Sequence, residues 1–305
     1  MGRKARLKTK SIFGKILCSI VYLVLFMPIA VVVVNSFNAT TSKPYLTWKG
    51  FTIDWYFKLF ENESLLASFG NTMIIALITT LLATAIGTLG AIGMYKYKFK
   101  GKSVIDGLLY IPVVIPEIVM GISLLTVFAK VSVPRGMLTL IIAHVTFCVP
   151  YVIFNVRARL SGYDISIEEA SMDLGADRIR TFFAVTLPVL KPGITAGALL
   201  AFTLSIDDVI ISYFVNGNTM TYPLQVMASI KSGVAPDVNA LSTLILVGTI
   251  LFVVLTQGNL FKKKCSNFCK KLVNDSIISV RKMGQINCRY IGSGSMNPDR
   301  KGGLL

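Results

Sequence analysis

The chain has 305 residues, 53% of them hydrophobic, and a mean hydropathy of +0.67. Only 15% are charged, against about 25% in soluble domains, and the apolar residues are grouped in long runs, which excludes a soluble globular protein. The net charge of +16 raises nucleic acid as a partner, but the distribution of that charge along the chain decides against it.

A run of about 20 apolar residues crosses the hydrocarbon core as a helix. Such runs lie at 16–34, 72–95, 104–128, 137–156, 193–215 and 241–255, which predicts an all-α integral membrane protein with six spans. In chain order, residues 1–15 form a basic cytoplasmic arm. The first run exceeds the roughly 15 residues of a signal h-region. Asn35-Ser36-Phe37-Asn38 follows it without a small-residue cleavage site, so we expect an uncleaved first span. Residues 35–70 form the largest outside loop. Trp48, Phe51, Trp55, Tyr56, Phe57 and Phe60 give it the aromatic density of the headgroup level, which predicts an interfacial helix that can also dock an external partner. The loop 95–103 alternates Lys96, Lys98, Lys100 and Lys102 with aromatic residues and reads as a short inside loop.

The third run is interrupted by Pro112 and Pro116, the fourth by Pro150. Proline kinks a helix by removing a backbone hydrogen bond. In lipid such kinks persist only where neighbouring helices satisfy the freed carbonyls, so the prolines predict a packed bundle. The sixth run is the shortest. Residues 258–305 form a basic tail with weak periodicity, expected to be poorly ordered.

With the amino terminus placed inside, Lys and Arg number 6 in residues 1–15, 4 in 96–102, 5 in 157–191 and 10 in 262–301. The outside segments hold 3 in 43–58, 2 in 130–135 and 1 at 231. Such an asymmetry puts both termini in the cytoplasm. The basic charge is thus a topology signal with a contribution from anionic membrane lipid, not a nucleic-acid footprint. Cys18 and Cys148 lie within spans, and Cys265, Cys269 and Cys288 lie in the tail. His144, in the fourth run, is the only histidine. We expect no metal site and no cofactor. There is no Walker A pattern, no GxSxG and no HExxH, so no catalytic residues are predicted, and energy must come from a partner or an ion gradient.

The loop 157–192 is the most informative segment. Residues 167–174 can form about two helical turns, with Ser166 as N-cap and Glu169 three residues on in a capping-box spacing. Gly175 can end that helix in a left-handed conformation. Residues 176–186 then resume, and Pro188 and Pro192 set the entry into the fifth span.

Glu169-Ala170-Ser171, three residues, Gly175, nine residues, Val185, one residue, Leu187-Pro188 resembles the EAA motif of type I ABC importer permeases. Ser171 and Val185 are mild departures. Phe202-Thr203-Leu204-Ser205-Ile206-Asp207-Asp208-Val209, the stretch from Pro116-Glu117 to Leu125 and Asn35-Ser36-Phe37-Asn38 resemble the PotC-type spermidine/putrescine permeases over residues 12–257. The resemblance implies a six-helix permease domain over 16–257, with a coupling helix in the loop 157–192. It also implies a second permease subunit, a dimer of ATPase subunits and an external polyamine-binding protein. Glu169, Ala170, Ser171, Gly175, Leu187 and Pro188 would then couple to the ATPase.

The spans also carry Glu117, Asp207 and Asp208 without a balancing Lys or Arg. An acid at mid-helix costs roughly 2.5–3.5 kcal/mol on insertion scales, which points either to hydrogen bonds with neighbouring Ser and Thr or to a cation path. A polyamine, with ammonium groups on an apolar stem, fits acids among apolar walls. Ala201, Ser205, Asp208 and Ser212 fall on one stripe at helical spacing, so Asp208 is favoured for the path and Asp207, which shares its side with Thr203, for helix packing. The alternatives are an importer of the same architecture for a metal cation or phosphonate-type compound, and a gradient-driven cation carrier or channel. The latter has no need of an ATPase-docking helix.

Overall fold

Three long helices pack around one buried valine. The computed structural model describes residues 2–41, 47–230 and 233–251, with the backbone alone for residues 2–15. The chain divides into two units, Met1–Ser242 and Thr243–Leu305. The tail 258–305, with its three cysteines, lies outside the described residues, as do 252–255 of the expected sixth span.

In the first unit, α1 (Gly2–Ser36) contains an apolar segment, Ile16–Ser36, whose side chains from 16 to 31 are all exposed. The short helix α2 (Asp54–Lys58) runs into a 3-10 turn, Leu59–Glu61. The loop thus contains a short helix, with Phe51, Phe57 and Phe60 exposed. The loop is tied down from inside. Asn38 pairs with Phe51 in an isolated bridge, its carbonyl accepts from Trp55 Nε1 (2.8 Å), and Ser36 Oγ meets the Tyr56 hydroxyl (2.8 Å).

The core is built from α3 (Glu63–Lys96), α6 (Met137–Leu160) and α9 (Leu187–Asp207). Asn62 caps α3 by accepting from Leu65 N. Small residues set how close these helices come. A Cβ on Gly87 would lie 2.7 Å from Val152 Cβ, and one on Gly197 would lie 3.2 Å from Val152 Cα. Val152 of α6 is therefore clasped between α3 and α9, both of which need glycine there. Small-residue contacts of this kind let membrane helices approach without a hydrophobic driving force. Ile75, Ala83, Ala143, Phe147, Val156, Leu160, Leu190 and Ala201 belong to the same buried cluster.

Two expected spans are broken. The third run forms α4 (Lys102–Val114) and α5 (Glu117–Lys130), which meet at 111°. Ile115 and Pro116 are both extended, with ψ 135°. The residue before proline avoids the helical region and proline donates no hydrogen bond, so Pro116 produces a corner rather than the expected kink. The fifth run forms α9 and then α10 (Ile210–Val215), interrupted at Asp208-Val209. Beyond it lie α11 (Tyr222–Ile230) and α12 (Pro236–Leu251). Among the described residues, four helices are long and apolar enough to cross a membrane, and the bent pair is the fifth candidate.

Candidate functional site

Two ends of this bundle hold the residues singled out from sequence. At one end α3 and α6 terminate and α9 begins, and the connecting segment carries α7 (Ser166–Asp173) and α8 (Arg178–Thr181). Ser166 is not the N-cap. It is the first helical residue, and Asp164 Oδ1 accepts from its N–H at 3.0 Å, a bond that holds the Asp164 carboxyl below its usual range. The exit is as expected. Gly175 has φ +90°, Gly175 N donates to Met172 O and Ala176 N to Ser171 O, which is the Schellman pattern. Asp177 Oδ1 then caps α8 through Arg180 N.

Phe182–Thr186 is a π-turn leading without interruption into α9. Pro188 cannot donate to Ala184, and its ring crowds that carbonyl. A widened turn at this place relieves the clash.

The motif residues face outward here. Glu169, Ala170, Gly175 and Pro188 are exposed, Ser171 and Leu187 are half-buried, and Leu174 is 90% exposed. Ile167, Ala170, Ser171, Leu174, Gly175, Ala176, Arg180 and Val185 line an open hollow of about 480 Å³. Sequence reasoning passed over Glu168. Its side chain turns inward and accepts from Lys96 Nζ (2.5 Å), the Tyr163 hydroxyl (2.8 Å) and Thr186 Oγ1 (2.7 Å). Burial pushes its carboxyl up, but these three donors and the Lys96 charge outweigh it and hold the group below its usual range.

The second locus is where the two breaks meet. Here α5 packs on α10, so closely that a Cβ on Gly121 would lie 2.7 Å from the Phe214 ring. Glu117 opens α5, Asp207 closes α9, and Asp208 precedes α10. None of the three is at mid-helix. Glu117 sits at a helix N-terminus, where the macrodipole favours negative charge, and it lies within electrostatic reach of Asp207 and Asp208.

The expected stripe from Ala201 to Ser212 is not formed, because Asp208 is extended (ψ 121°) and the helix stops. Ser205, Asp208 and Ser212 converge nonetheless, and His144 of α6 gathers them. Its Nδ1 meets Ser205 Oγ at 2.8 Å, and its Nε2 meets Ser212 Oγ at 3.0 Å and Asp208 Oδ2 at 3.3 Å. Asp208 also accepts from Ser212 N (2.7 Å) and Ile211 N (3.3 Å). Its side chain is 3% exposed. Asp207 and Glu117 are exposed on the surface of this chain, Asp207 beside exposed Thr203. Asp208 is thus buried at the break, where it accepts from two N–H groups of α10, and Asp207 faces outward. Among the described residues, Glu117 and Asp207 form no salt bridge, and no three His, Cys, Asp or Glu side chains cluster as metal ligands.

Residues 83–258 match the profile of the binding-protein-dependent transport system inner membrane component. The chain belongs to this family. It is 42% identical over 239 residues to the spermidine/putrescine transport system permease protein PotC of Haemophilus influenzae, covering 78% of this chain and 92% of that protein. It is 39% identical over 239 residues to the putrescine transport system permease protein PotI of Escherichia coli K12, covering 75% and 84%. Among solved structures, a bacterial ABC transporter for import of the acidic polysaccharide alginate superposes with a TM-score of 0.65 at 16% identity, covering 85% of this chain and 98% of that one. The methionine transporter MetNI in an inward-facing form gives 0.52 at 16% identity, covering 64% and 93%. The fold is that of a type I ABC importer transmembrane subunit, and the protein is a membrane permease component.

Proposed function

We propose that this chain is the permease subunit of an ATP-driven importer of polyamines of the spermidine and putrescine class. The observation that carries the substrate assignment is the pair Glu117 and Asp207, exposed at two helix breaks inside apolar spans and without a basic partner among the described residues. Uncompensated acids at membrane depth favour a cation over an anion. The names of the PotC and PotI relatives favour a polyamine over a metal ion.

In this reading a second permease subunit supplies the other wall of the path. An ATPase dimer grips α7 through Glu169, Ala170, Ser171 and Gly175 with the hollow beside them, while Leu187 and Pro188 set the head of α9. An external polyamine-binding protein delivers substrate. Closure of the ATPase dimer moves α7, and the core helices rock between outward- and inward-facing arrangements. Asp208 keeps the break in the fifth span shaped so that Asp207 stands at the path. The chain itself catalyses no reaction, and both termini lie in the cytoplasm.

The test is uptake of labelled spermidine and putrescine by Glu117→Gln and Asp207→Asn at matched membrane levels, with the assembly checked by co-purification. Both changes keep side-chain volume and remove charge. Uptake is expected to fall by about tenfold or more in each, the loss of one favourable charge contact to the substrate. Wild-type rates in both would remove the acids from the path.

A further inference from the structure

We infer that Glu168 is a positioning residue that fastens the coupling helix to all three core helices, so that ATPase movement reaches them as one body. The inference rests on the reading of α7 as the ATPase contact. Glu168 and Glu169 are neighbours, about 100° apart on the helix. Glu169 faces outward, whereas the Glu168 side chain is 10% exposed.

Its three donors come from three different places. Lys96 is the last residue of α3, Tyr163 lies in the turn after α6, and Thr186 closes the π-turn that leads into α9. Oε2 takes Lys96, and Oε1 takes both hydroxyls. A second bond, from the Tyr95 hydroxyl to Tyr163 O at 3.1 Å, ties α3 to the same turn. The ends of α3, α6 and α9 thus converge on one carboxylate that belongs to α7. Ser171 Oγ and Thr181 Oγ1, 3.2 Å apart, also join α7 to α8, but that bond reaches neither α3 nor the turn after α6.

A carboxylate satisfied this way could be purely structural. The two roles differ in what they do to the ratio of transport to ATP hydrolysis. The experiment uses the assembled transporter, purified with its partner subunits and reconstituted with substrate-loaded binding protein. ATP hydrolysis and labelled spermidine uptake are measured for wild type, Glu168→Gln, Lys96→Glu and the exchange Lys96→Glu with Glu168→Lys. The hydroxyls of Tyr163 and Thr186 accept as well as donate, so the exchanged pair can rebuild the three contacts with donor and acceptor reversed.

In Glu168→Gln the ATPase subunit is expected to stay bound and to hydrolyse ATP, while uptake per ATP falls about tenfold, within the range of coupling between sites. The exchange is expected to recover most of that ratio. An unchanged ratio, a loss of hydrolysis in step with uptake, or an exchange no better than the single variants would overturn the inference. If Gly175→Glu keeps its ATPase and its uptake, the reading of α7 itself has failed. If Gly175→Glu loses the ATPase and Glu168→Gln transports normally, the tie alone has failed.

Discussion

At the scale of single residues, the two aspartates of the fifth span separate experimentally. Asp208→Asn weakens the contact with His144 and a cap on two buried N–H groups, which should cost about 1–3 kcal/mol and lower the thermal midpoint of the solubilised complex. Asp207→Asn removes an exposed charge and should leave the midpoint unchanged while lowering uptake. His144→Ala should destabilise more than Asp208→Asn, since it removes the imidazole partner of the Ser205 and Ser212 hydroxyls and one contact of Asp208. Glu168 adds a pH dependence. Its folded carboxyl titrates below the ordinary glutamate range, so its contribution is complete above the unfolded value and is lost as pH falls through the folded one. The difference in thermal midpoint between wild type and Glu168→Gln should therefore be largest at neutral pH and shrink on acidification. None of these partnerships was legible from the chain. His144 is a lone histidine, and its serines lie 61 and 68 positions away. Glu168 sits beside the more familiar Glu169, and only the helical phase of α7 tells which of the two turns inward.

At the scale of elements, α7 and its glycine exit form a local signal that sequence carries well. The residues that shape the turn lie within a dozen positions of one another, and the bonds at Met172, Ser171 and Asp177 follow from residue type. Gly175→Glu and Ala170→Arg should each abolish co-purification of the ATPase while the chain still inserts. A Cβ at Gly175 meets nothing within 4 Å, so Gly175→Asn, which tolerates positive φ, should retain much of the binding that Gly175→Val loses. The broken spans were less legible. Pro116 announced a bend in the third run, but hydropathy reads straight through a corner. The break at Asp208 has no proline or glycine to mark it. It is made by a side chain that caps α10 and is held by a histidine from another helix, a tertiary cause that periodicity cannot contain.

At the scale of the whole molecule, the six apolar runs were enough for class, which depends on composition over long windows, and the asymmetry of basic charge gives an expected orientation. The orientation is open to a direct check. Single cysteines placed in the loop 95–103 should be labelled only from the cytoplasmic side, and those placed near Phe57 only from outside. The tail beyond 258 is expected to be dispensable. Truncation after Lys264 keeps the basic cluster Lys262-Lys263-Lys264 and should leave uptake near wild type, measured at matched membrane levels. The side chains of α1 between 16 and 31 are all exposed in this chain, an apolar surface that would face lipid or a second permease subunit in the proposed assembly.

The clasp at Val152 has a mechanical consequence. Where helices meet at glycine, they can tilt but cannot come closer, so the contact is a fulcrum. On α9, Gly197 lies ten residues from Leu187 and ten from Asp207, or about 15 Å along the axis each way at 1.5 Å per residue. On α6, Val152 lies eight residues from His144 and eight from Leu160, about 12 Å each way. The arms of both levers are equal about Val152, although Gly193, where a Cβ would lie 2.8 Å from Arg159 Cβ, brings α9 against α6 a second time one turn nearer Leu187. A rigid tilt of either helix delivers at the acid-bearing break a displacement of the same size as at the Glu168 end and of opposite sense, with neither gain nor loss of stroke.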